Sequence, residues 1–139
     1  LLIIRAQTRD YRTLEPIWLA AKSEFPTSAL KLNRSHMYYR REVETRDCIL
    51  LLRSYYDRQV ADRARAQAAG DDNVEAIVIA ALIRAAIVAH RENRVLDDPH
   101  PVPASGAGTR QEDAAWLIAV ANAFNQSATE PALSDGITG

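Results

Sequence analysis

Sixteen consecutive residues, Val74 to Ala89 (VEAIVIAALIRAAIVA), include only two that are not apolar, Glu75 and Arg84. A helix that is apolar all round has no solvent face, so its neighbours must enclose it, whether they come from this chain or from a partner. The run predicts a central buried helix. Its flanks suggest where it ends: Asp71, Asp72 and Asn73 offer a cap and negative charge at the start, and His90, Arg91 and Arg94 offer cations at the finish. We place the helix at about Val74 to Asn93. A membrane span needs roughly 20 apolar residues, and an arginine at mid-depth would be costly, so no membrane partner is expected.

A chain of 139 residues with 47% hydrophobic content suits one globular domain with one core. The single cysteine, Cys48, has no partner for an internal disulfide, and no apolar run near the N-terminus is long enough for a signal peptide. A reducing, cytoplasmic setting is expected. The chain begins at Leu1 rather than Met, which leaves its native start open.

The net charge of −1 hides an asymmetry. Residues 1–65 hold 13 Arg and Lys against 8 Asp and Glu, whereas residues 66–139 hold 4 against 10. The basic half suggests a surface that meets something acidic. Fifteen of the 17 basic residues are arginine, whose planar fork suits phosphate and carboxylate, although a GC-rich genome would also favour it.

Along the chain, Leu1 to Ile4 is too short a run to assign. The segment TLEPIWLAAKSEF reads as a helix capped by Thr13, with Pro16 in its first turn and Leu14, Ile17, Trp18 and Ala21 on its apolar face, ending before Pro26. From His36 to Ala69 there is no Gly or Pro, and Thr45, Cys48, Ile49, Leu52, Tyr55, Tyr56 and Val60 recur at helical steps. Asn33 or Ser35 is placed to cap this element and Gly70 to stop it. We read one long arginine-rich helix over about residues 36–69. Unbroken, it would run about 50 Å at 1.5 Å per residue, longer than a compact domain of this size is wide, so it must break or project. A Pro- and Gly-rich loop, Val95 to Gly108, follows the central helix. Thr109-Arg110-Gln111-Glu112 then matches a capping box for a last helix reaching about Gln126. The expected fold is all-α: an irregular bundle of four to five helices forming a single domain over residues 1–126, with a C-terminal tail at 127–139.

Motifs for phosphate loops, HExxH metal sites and CxxC zinc sites are absent. Asp97, Asp98 and His100 crowd one loop, but Pro99 more simply marks a turn, and neither a metal nor a cofactor is expected. His36 and Cys48 read as structural. The positive feature is the arginine series. Arg34, Arg40, Arg41, Arg46, Arg53 and Arg58 are the candidate contacts to nucleic-acid phosphates, with Tyr38, Tyr39, Tyr55 and Tyr56 among them. Against this, Glu42, Glu44, Asp47, Asp57 and Asp62 lie at spacings that form internal ion pairs, and Tyr55 and Tyr56 fit a core better than a stacking platform. Arg84, buried in an apolar helix, requires a partner: a carboxylate such as Glu15 or Asp113, or a ligand.

Arg84 and His90, with five residues between them, resemble the Arg-then-His pattern of the HEPN family of helical ribonucleases. The resemblance implies roles for these two residues in RNA cleavage, although here Ala85 follows the arginine where that family usually has a polar residue. In size, helicity and charge the chain also resembles the small helical subunits lining CRISPR effector complexes. The leading expectation is a non-catalytic subunit of a nucleoprotein assembly that contacts single-stranded DNA or RNA. The alternative is a protein–protein interaction or self-association module. A pocket lined by Trp18 and Trp116 is the remaining candidate.

Overall fold

The computed structural model describes residues 2–25, 37–103 and 109–129. All its regular elements are helices: α1 (Leu2–Lys22), α2 (Met37–Leu51), a short 3-10 turn (Arg53–Tyr55), α3 (Arg58–Gln67), α4 (Val74–Arg91) and α5 (Arg110–Thr129). None of the described helices is long and apolar enough to cross a membrane.

The central helix lies where the apolar run places it. Its start is fastened by Asp71 Oδ1, which accepts from the Asn73 amide at 2.9 Å, while the Asn73 side chain makes no capping bond. At its end the Arg94 amide donates to the Ala89 carbonyl (2.9 Å) and the Asn93 amide to the His90 carbonyl (3.1 Å). Asn93 sits at φ 57°, the left-handed conformation in which an asparagine can close this pattern.

The long arginine-rich helix is not continuous. It breaks after Leu51, passes through the 3-10 turn, and restarts at Arg58, where Asp57 Oδ1 accepts from the Gln59 amide at 2.9 Å as an N-cap. Two loop bonds hold the break. The Leu96 amide donates to the Ser54 carbonyl (3.0 Å) and the His100 amide to the Tyr56 carbonyl (2.8 Å), tying the segment after α4 to the corner. Gly70 follows α3 at φ +89°, as a helix stop requires.

The first helix begins earlier than its sequence suggests. It runs from Leu2 straight through Thr13 and Pro16, and the Thr13 hydroxyl donates to the Arg9 carbonyl four residues back (2.9 Å) rather than capping. Pro16 points outward, and the helix continues past it. At α5 the capping box is half made, with the Glu112 amide donating to Thr109 Oγ1 at 3.2 Å. That helix reaches Thr129, three residues beyond Gln126.

Packing follows one sequence of neighbours: α2 against α1, α1 against α5, α5 against α4, and α4 against α3. One core joins them through Leu14, Ile17, Ile49, Leu52, Leu82, Ile83, Leu117 and Val120, all buried. Tyr56 belongs to this core as well. Its hydroxyl donates to the Ile49 carbonyl, and burial, with Cys48 nearby, pushes its pKa far up. Cys48 is buried too. At 25 cal/mol per Å2 of apolar area, each such Leu or Ile contributes about 1.5–3 kcal/mol of transfer energy.

Candidate functional site

Two regions hold the residues that sequence reasoning singled out. The first is the seam between α1 and α2. Arg41, 7% exposed, has its guanidinium 3.5 Å from the ring centre of Tyr11 and 4.4 Å from that of Trp18. Its Nη1 donates to the Tyr11 carbonyl (2.8 Å) and lies 3.8 Å from Glu15. Beneath it, the buried Glu44 accepts from Arg40 Nε at 2.8 Å and has Lys22 Nζ 3.3 Å from its other oxygen. Glu42, also buried, accepts from Arg46 at 2.7 Å. These arginines neutralise carboxylates that the fold has taken out of water. The spacings Arg40/Glu44 and Glu42/Arg46 are one helical turn, so these pairs were visible in the sequence; the partners from α1 were not.

The other predicted phosphate contacts are distributed. Arg58 forks onto the Asp98 carboxylate at 3.1 Å through both Nε and Nη2 and reaches the Asp98 and Pro99 carbonyls, so it staples the loop after α4 to the start of α3. Arg53 is exposed and has no ion pair among the described residues. Arg34 and His36 lie outside the described residues, as do the side chains of Tyr38 and Tyr39. Tyr55 is half-buried, edge-on to the His90 ring at 5.2 Å.

The second region is a trough along α4. Helices α3 and α5 both pack on α4 but approach each other little, so among the described residues one strip of α4 lies partly uncovered between them. Ile77, Ala81, Arg84 and Ala85 are half-buried there and Val88 is exposed, five residues at the spacing of one helix face. The strip floors a cleft of about 500 Å3 walled by Ala64 and Ala68 on one side and Ala123 on the other. Two further clefts, of about 460 and 360 Å3, share lining residues with it and extend the trough toward either end of α4.

Arg84 is the one charged residue of α4 on the floor of the central cleft. Neither Glu15 nor Asp113 pairs with it. Its Nη2 donates to the Phe124 carbonyl (2.7 Å), its guanidinium lies 4.0 Å over the Phe124 ring, and its Nε is buried without a hydrogen-bond partner. Burial holds its pKa below the usual arginine value. The sequence could not show this partner, because a backbone carbonyl on a distant helix leaves no trace in composition or spacing.

Arg84 and His90 turn to different neighbours. While Arg84 meets α5, His90 Nδ1 stands 2.9 Å from Glu24 Oε1, just after α1, with the Phe25 ring 4.6 Å away. Arg91 completes this cluster on the second Glu24 oxygen at 2.8 Å. Burial raises the Glu24 pKa, but the bonds from His90 and Arg91 outweigh it and hold the carboxyl below its ordinary value. Within one chain the two residues do not share a site. Trp18 lines a small cleft of about 130 Å3 with Tyr11 and Lys22, and Trp116 packs against the core instead. Among the described residues no group of three or more His, Cys, Asp or Glu is arranged to hold a metal ion.

The described residues form a helical domain whose central helix they cover incompletely. Residues 4–127 match the model of a family of unknown function, DUF6545, and the chain belongs to that family. No curated protein and no solved structure matches it.

Proposed function

We propose that this chain is a helical interaction module whose trough along α4 receives an apolar helix from another protein. The observation that carries the reading is the incomplete enclosure of α4: a helix without a polar face still has Ile77, Ala81, Ala85 and Val88 in contact with solvent. An apolar groove flanked by two helices is the usual seat of a partner helix, which would complete the enclosure. The lone buried Cys48 suits a reducing compartment such as the cytoplasm. A neutral apolar dye, Nile red, tests the trough. Dye binding should shift the amide resonances of Ile77, Ala81 and Val88, and Ala81→Glu should abolish it while the helical circular dichroism is retained. Dye uptake without any response along α4 would overturn the proposal.

The nucleoprotein reading has less to draw on than the arginine count suggests. Arg40, Arg41, Arg46 and Arg58 are each engaged by a carboxylate or carbonyl of this chain, whereas Arg53 and Arg63 are exposed. Binding to labelled single-stranded RNA and DNA across a salt series tests it. Affinity that falls steeply with salt and is lost on Arg53→Ala with Arg63→Ala would favour a phosphate surface over a protein groove.

A further inference from the structure

We infer that Arg84 is the specificity point of the trough, selecting a partner helix that carries one carboxylate within its apolar stripe. The inference rests on the trough being a helix-binding groove. Among the described residues Arg84 forms no ion pair, in contrast to Arg40, Arg46, Arg58, Arg65 and Arg91, each of which has a carboxylate. Its Nε is buried and unbonded, and its one hydrogen bond goes to a neutral carbonyl. In the open trough water offsets part of that charge. A partner that displaces the water must replace it, because a cation sealed beneath apolar groups with no anion is strongly unfavourable.

The chemistry narrows the occupant further. A second copy placed on a two-fold axis through the middle of α4 would bring two Arg84 guanidiniums together, so like charges disfavour it. In the central cleft a nucleic-acid backbone would meet a largely apolar lining with one arginine and Asp71, which cannot neutralise a run of phosphates; Arg63 and Arg94 line only the adjoining cleft. Asp71, also at the cleft, lies at the far end of it, 13 residues from Arg84 and bonded to the Asn73 amide. One carboxylate against one guanidinium fork, with apolar residues to either side, is the match.

Octanoate and 1-octanol are the smallest probes of this chemistry, titrated into the intact chain at pH 7 and followed by amide shifts along α4. At equal low-millimolar concentration, octanoate is expected to fill the trough about fivefold further than octanol. Arg84→Met should remove that preference while octanol still binds, and Arg84→Lys, which keeps the charge without the fork, should retain part of it. Equal filling by the two probes in the unaltered chain would leave the trough standing and overturn the carboxylate inference. Failure of both probes to move any α4 resonance would overturn the trough itself. Saturation by octanoate below about 1 μM would mark a dedicated pocket for a small amphiphile, and so overturn the helix as the carrier.

Discussion

Between α1 and α2, Lys22, Arg40, Arg41 and Arg46 each have a carboxylate within 4 Å, whereas in the trough the one cation of α4, Arg84, meets only a carbonyl and a ring. Arg41 Nε lacks a bond just as Arg84 Nε does, but two rings, a carbonyl and Glu15 share the Arg41 charge. In the first seam each of these cations has a carboxylate, although Trp18 Nε1, Glu44 Oε2 and Arg46 Nε are also buried without a hydrogen bond. The second is largely apolar and, among the described residues, partly open and without a carboxylate on its arginine. Arginine count therefore says little about where an arginine-rich protein binds; what matters is which guanidiniums the fold has left uncompensated.

The comparison can be broken first on α4 itself. Leu82 faces the core and is fully buried, so Leu82→Ala should cost about 3 kcal/mol in urea unfolding, while Val88→Ala on the trough side should cost under about 0.5 kcal/mol. Similar losses at both positions would mean that the trough side is packed like the core. Next, Glu44→Ala should cost about 2–3 kcal/mol, because it strips the shared anion from Arg40 and Lys22 in a buried seam. A neutral result there would show that the seam is not held by its charges.

The cluster on Glu24 predicts a pH effect. Its carboxyl is held below the ordinary glutamate pKa, so its contribution is present above that ordinary value and is lost as pH falls through the lower, folded-state pKa. Thermal melts from pH 6 down to 3 should show this loss, and Glu24→Gln should flatten the profile. A small effect is expected at Arg58→Ala. Its pair with Asp98 is largely exposed, and its loss should stay within about 1 kcal/mol while loosening the loop after α4, read as faster amide exchange at Leu96 and His100.

Much of this architecture was legible in the chain. The central helix, the Thr109 cap, the Gly70 stop and the burial of Tyr56 all follow from local chemistry that the fold leaves in place. That the arginine-rich element must break or project was legible from its length, but the place of the break, after Leu51, was hidden because Ile49, Leu52 and Tyr56 keep helical spacing across it and remain in one core. The local signal was Asp57, a capping residue inside the apparent helix. Thr13 and Pro16 resemble a helix start, yet the turns before them continue the same helix. The trough was foreshadowed only in part. The apolar run demands an enclosure, but which side of α4 its own chain leaves open depends on how α3 and α5 pack, and that is tertiary information.

The most direct measurement is the unfolding free energy of Arg84→Met in the isolated chain. If Arg84 is kept for an incoming carboxylate rather than for the fold, removing its uncompensated charge should leave stability unchanged or raise it by up to about 1 kcal/mol. A loss of more than about 2 kcal/mol would contradict the account, since Arg84 would then be holding α4 to α5 through Phe124.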